Sequence, residues 1–94
     1  MPTIELQIVN PSGLHARAAA LFVEAAARFA SKITVENVDR GSPAVDAKSI
    51  LMLLTTGVAR GQRIRITAEG PDAGEALASL RGLVESGLGE ASAG

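Results

Sequence analysis

Residues 3–22 read Thr-Ile-Glu-Leu-Gln-Ile-Val-Asn-Pro-Ser-Gly-Leu-His-Ala-Arg-Ala-Ala-Ala-Leu-Phe, and within that stretch the apolar period changes from two to about 3.6. Ile4, Leu6 and Ile8 alternate with Glu5 and Gln7, the pattern of a half-buried strand over residues 3–9. Asn10-Pro11-Ser12-Gly13 are consecutive turn formers and must end it. From Ala16 to Ala30, Ala18, Leu21, Phe22, Ala25 and Phe29 recur at helical spacing, while Glu24 and Arg28 stand in the favourable i,i+4 order on the opposite face. Strand, loop and helix follow in that order. His15, the only histidine, sits where the loop becomes the helix.

Downstream, Lys32–Val38 alternates again, and Asp39–Pro43 turns the chain toward a short strand near Ala44–Asp46. Ser49 to Leu54 is a dense apolar run closed by Thr55-Thr56-Gly57, as a short helix would be. Gln62–Thr67 reads as a strand with Ile64 and Ile66 inward, followed by a turn over Ala68–Pro71. A last helix runs from about Asp72 to Ser86 and buries Ala76, Leu77, Leu80 and Val84. The order β-α-β-β-α-β-α predicts an α+β fold, a four-stranded antiparallel sheet with three helices on one face. Without internal repeats or a linker, residues 1–94 are expected to form one domain. Residues 88–94, in the Gly-, Ser- and Ala-rich stretch that begins at Gly87, are expected to fray.

Composition removes several function classes. Ninety-four residues suffice for one core, and the absence of cysteine leaves apolar packing to stabilise it. A net charge of −1, with Phe22 and Phe29 as the only aromatics, lacks the basic field and stacking rings of a nucleic-acid binder. No apolar segment approaches the roughly 20 residues needed to cross a bilayer, and no basic stretch precedes a long apolar run. The expectation is a soluble, cytoplasmic protein without membrane insertion.

A lone histidine is more often structural than reactive, but the position of His15 changes the weighing. At or beside a helix N-cap, Ser, Thr, Asp or Asn would be usual. The first helical amides have no intrahelical acceptor and the helix dipole adds partial positive charge, so this place attracts an anion such as a phosphoryl group. Arg17 brings a permanent charge and a planar fork of donors to the same turn. Imidazole is a nucleophile near neutral pH and a fair leaving group once phosphorylated. A metal site is disfavoured because no second His or Cys exists and no carboxylate stands at ligand spacing. Ser12 is near, yet neither an orienting carboxylate nor an elbow motif accompanies it, so a serine hydrolase fits poorly. A phosphoryl carrier needs only the acceptor and its cradle.

Gly13-Leu14-His15-Ala16-Arg17, continued by Ala19-Ala20-Leu21, resembles the active-site signature of HPr, the histidine phosphocarrier family of the bacterial phosphotransferase system. Asp46-Ala47-Lys48-Ser49-Ile50, with Thr56-Gly57-Val58, is similar to the family's second motif, and the likeness extends from about residue 3 to residue 89. The resemblance implies an open-faced β-sandwich. It also implies a role: enzyme I, charged by phosphoenolpyruvate, phosphorylates His15 on Nδ1, and the group passes to enzyme IIA domains for sugar uptake. Arg17 and the amides of Ala16 and Arg17 would hold it, with no cofactor, in a monomer that is a carrier and not an enzyme.

The resemblance further implies regulatory phosphorylation of Ser49 by HPr kinase/phosphorylase, with a transcriptional regulator as a further partner. On position alone, Ser49 reads as a helix N-cap. Ile50, Leu51, Met52, Leu53 and Leu54 cannot all face inward; core packing is expected for about half of them, Leu53 with Ile50 or Met52, while Leu51 and Leu54 share an exposed face. In the family, positions Ile50, Leu51 and Leu54 form a docking patch. Ala18 departs from the signature, where proline usually follows the arginine; alanine restores one amide in the first turn. The Ala18→Pro variant is expected to keep His15 phosphorylation largely intact. The alternative function is a regulatory HPr-like domain, either a nitrogen-branch phosphocarrier or a binding module.

Overall fold

The computed structural model describes residues 2–89. Its elements are β1 (Thr3–Gln7), α1 (Ala16–Ala26), β2 (Lys32–Asn37), β3 (Val45–Asp46), α2 (Ile50–Thr55), β4 (Arg63–Glu69) and α3 (Ala73–Glu85). The four strands form one antiparallel sheet in the order β1-β4-β2-β3, and the three helices cover one face, the expected α+β open-faced sandwich.

The register follows from the alternation. Ile4 pairs with Ile66 and Leu6 with Ile64 across β1 and β4, while Ile33 meets Ala68 and Val35 meets Ile66 across β2 and β4. All of these but the half-buried Ile4 are buried beneath the helices, and a slip of one residue would turn the set outward. On the open face Arg65 lies opposite both Glu5 and Glu36. Its guanidinium donates to Glu5 at 2.8 and 3.0 Å and to Glu36 at 3.4 Å, and these carboxylates, Glu5 foremost, raise the Arg65 pKa further above its usual value. Such exposed cross-strand pairs are screened by water and contribute little to stability.

Several boundaries differ from those predicted. Helix α1 ends at Ala26, not Ala30, and its buried residues are Ala18, Ala19, Phe22 and Ala26, with Leu21, Ala25 and Phe29 only partly covered. The reason lies in the next connection, where the Asp72 carboxylate accepts hydrogen bonds from the Ala30 amide and from both the amide and hydroxyl of Ser31. These bonds hold residues 30 and 31 out of the helix and aim the chain into β2. The same carboxylate makes no capping bond to α3, although Asp72 is that helix's N-cap residue. Strand β4 runs on through Ala68 and Glu69 because Ala68 is buried and pairs with Ile33.

The fraying expected from residue 88 is not what Leu88 shows. Leu88 is fully buried at a left-handed φ of 52°, and its amide donates to Leu83 O at 3.1 Å. Burying a leucine in the core outweighs the cost of that backbone conformation. The remainder of the expected tail, residues 90–94, lies outside the described residues.

Helix α2 also buries less than expected. Of its apolar run only Leu53 enters the core, while Ile50, Leu51, Met52 and Leu54 are all exposed, Leu51 at 76%. A six-residue helix makes fewer than two turns, so one inward position is all that it presents to α1 and β3.

Candidate functional site

The loop before α1 is built to deliver His15. Asn10, itself buried, closes the turn through two bonds, its carbonyl accepting from the Gly13 amide at 3.1 Å and its side-chain Nδ2 donating to Gly13 O at 2.6 Å. Gly13 adopts φ 62°, and a β-carbon there would lie 2.5 Å from Val58 O. The next amide, that of Leu14, donates to the same Val58 carbonyl at 3.0 Å, and the Leu14 and Val58 side chains are both buried. The loop is thus seated on the segment after α2. Two distant pieces of sequence, residues 13–14 and 58, set one backbone path.

His15 emerges from that seat as the N-cap of α1, with extended backbone (φ −80°, ψ −177°) and a half-exposed side chain. Its carbonyl accepts from Ala19 N at 2.8 Å and its ring Nδ1 accepts from Ala18 N at 3.2 Å. The imidazole therefore does the work that a Ser or Asp side chain does at most helix starts. The Ala18 amide that alanine restores to this turn is accordingly engaged with Nδ1. Arg17 is exposed on the same turn, as is Ala16, and α1 has no acidic residue in its first turn to compete for an incoming anion.

Ser49 caps α2, its hydroxyl accepting from Met52 N at 3.3 Å, which agrees with the N-cap reading. Since α2 packs against α1, the exposed Ile50, Leu51, Met52 and Leu54 belong to the helix next to the one that His15 caps. Sequence reasoning missed the seat formed by Asn10, Gly13 and Val58 and the engagement of the Ala18 amide. The first depends on long-range contact; the second was legible, because a non-proline residue three after an N-cap has an amide without an intrahelical acceptor. Among the described residues no group of His, Cys, Asp or Glu is arranged to hold a metal ion, and no helix is long and apolar enough to cross a membrane.

The family pattern described as "PTS HPr component phosphorylation site" matches residues 2–86. The fold superposes on HPr-C-His from Thermoanaerobacter tengcongensis with a TM-score of 0.89 at 43% identity, covering 97% of this chain and 99% of that one. It superposes on the phosphocarrier protein HPr from Bacillus anthracis str. Ames with a TM-score of 0.81 at 40% identity, covering 88% and 95%. A multiphosphoryl transfer protein of Haemophilus influenzae is 46% identical over 83 residues, which are 88% of this chain and 17% of that protein. Multiphosphoryl transfer proteins of Vibrio cholerae and Salmonella typhimurium match at 42% and 37% identity; the chain spans 22% and 23% of their length.

Proposed function

The chain belongs to the HPr phosphocarrier family of the bacterial phosphotransferase system, and from that premise we propose that it carries a phosphoryl group on His15 Nδ1. The group arrives from phosphorylated enzyme I, ultimately from phosphoenolpyruvate, and leaves to an enzyme IIA domain. The observation that carries this reading is the placement of a half-exposed imidazole at the N-cap of α1, with Nδ1 turned toward the first-turn amides. A phosphoryl group on that nitrogen would sit where helix N–H groups lack intrahelical acceptors, beside the Arg17 guanidinium. The amides of Ala16 and Arg17 would hold its oxygens. The protein acts as a carrier, not as an enzyme, and works in the cytoplasm.

Docking on enzyme I and enzyme IIA would use Ile50, Leu51 and Leu54, whose exposure beside α1 supports that role. Small, transient interfaces suffice for phosphoryl hand-over. Ser49 is the residue for regulatory phosphorylation; a phosphate there would add charge beside the apolar patch and weaken docking.

The test is incubation with phosphoenolpyruvate, magnesium and an enzyme I, followed by intact mass at neutral and acid pH. Gain of one acid-labile phosphoryl group, absent in His15→Ala, is the expected result. An acid-stable adduct, or an equal gain in His15→Ala, would overturn the reading.

A further inference from the structure

We propose that Asn37 and Gln62 form a positioning pair for the transfer: hydrogen-bonded to each other, they fix the segment 58–62 from which both ends of the loop before His15 hang. The proposal rests on the carrier reading above and deepens it. The chain enters that loop at Ile8, whose amide donates to Gln62 O at 2.9 Å and whose carbonyl accepts from the Gly61 amide at 2.8 Å. It reaches His15 through Leu14, whose amide donates to Val58 O at 3.0 Å. Residues 9–13 therefore bridge two points on one short segment, and a shift of that segment carries the histidine with it.

Residues 58–62 belong to no helix or strand, so side chains must hold them. Gln62 Oε1 accepts from the Ala59 amide at 2.9 Å and from Asn37 Nδ2 at 3.1 Å, and the same Nδ2 donates to Thr56 O at 3.0 Å. Val58 is thereby bracketed by anchored residues on both sides. Main-chain partners fix the orientation of both carboxamides, because the Ala59 and Arg40 amides can only donate and the Thr56 carbonyl can only accept. Gln62 must present its oxygen to Ala59, while Asn37 gives its nitrogen to Thr56 and its oxygen to the Arg40 amide at 3.2 Å.

Asn37 is fully buried at a place where the alternation of β2, after Ile33 and Val35, calls for an apolar residue. A valine would fill that space and direct nothing. Burying a carboxamide costs free energy unless its polar atoms are bonded, and here they are bonded to the connection after β2, the end of α2 and the side chain that holds Ala59. What the asparagine supplies is direction. A reacting group misplaced by about 1 Å can lose up to about 100-fold in rate, so a network that sets the height of the loop seat acts on the transfer without touching the phosphoryl group.

The experiment uses the full chain and its variants Gln62→Ala, Gln62→Glu, Asn37→Ala and Leu88→Ala, each assayed where it is folded. Hydrogen exchange of the Leu14 amide, compared with that of amides in the central strand β4, reports the loop seat separately from global stability. The maximal rate of phosphoryl uptake from phosphoenolpyruvate at saturating enzyme I reports the transfer. We expect Gln62→Ala and Asn37→Ala to raise Leu14 exchange about 10-fold relative to β4 and to lower the maximal rate by a similar factor. Gln62→Glu, which keeps both acceptor bonds, should match the wild type in both readings. Leu88→Ala should raise exchange throughout and keep the rate. Gln62 is only half-buried, so its variants test the pair even where Asn37→Ala does not fold. The proposal is overturned if Gln62→Ala leaves Leu14 as protected relative to β4 as in the wild type, if it loosens Leu14 without slowing uptake, or if Gln62→Glu is as slow as Gln62→Ala. Failure of the carrier reading shows differently, as absence of uptake by the wild type while Leu14 exchange still answers to Gln62→Ala.

Discussion

At Gly13 a β-carbon would approach the Val58 carbonyl oxygen to 2.5 Å, and φ is 62°. Both faults would act together in Gly13→Ala, and either alone typically costs about 1 kcal/mol or more. The variant should unfold at lower urea concentration and should also accept phosphate more slowly, because the bond from Leu14 N to Val58 O would be displaced. Normal uptake in a folded Gly13→Ala protein would mean that the loop seat does not position His15. Arg17 makes a complementary case. Exposed on α1, it should be replaceable by alanine with little change in stability, and if it holds the phosphoryl group its loss should slow transfer roughly 10- to 100-fold. Stopped transfer assays beside urea melts separate the two effects.

Among the elements, α2 divides its residues most sharply. Leu53 is fully buried, so Leu53→Ala should cost about 2–5 kcal/mol. Leu51, at 76% exposure, can become arginine with a stability change within about 0.5 kcal/mol. If the exposed run docks partners, Leu51→Arg nonetheless raises the concentration of enzyme I needed for half-maximal phosphorylation; an unchanged requirement would remove Leu51 from the patch. The end of α3 offers a test of another kind. Leu88 lies beyond the last helical residue yet is fully buried, so Leu88→Ala should lower stability by about 2–4 kcal/mol, a loss that a frayed tail could not produce.

Across the whole molecule, Asp72 ties the turn after α1 to the start of α3. The Ser31 hydroxyl, then the amides of Ala30 and Ser31, hold its carboxyl below the usual value of 3.8. A depressed folded-state pKa means that the stabilisation is complete above the unfolded value and is lost as pH falls through the folded one. Urea midpoints should therefore drop on acidification in the wild type, and Asp72→Asn should show a lower midpoint at neutral pH with a shallower acid slope. Parallel slopes in the two proteins would show that Asp72 carries no part of the acid sensitivity.

The strands, the helix that follows His15 and the inward face of α3 were legible in the sequence because strand and helix periods are local properties, set by which residues must leave water. The motif around His15 was legible for the same reason: a turn, a cap position and an arginine two residues later are all written within one short stretch. Helix α1 stopped early because a carboxylate 42 residues away from Ala30 takes its amide. Four of the five residues Ile50–Leu54 stayed exposed because only one direction from α2 leads into the core. The sequence by itself determined that a histidine would stand at a helix entrance, since capping depends on neighbours in the chain. Only the tertiary structure decided how that histidine is held, because Val58, which seats the loop, and the core that fixes Ala18 meet His15 only when the chain is folded.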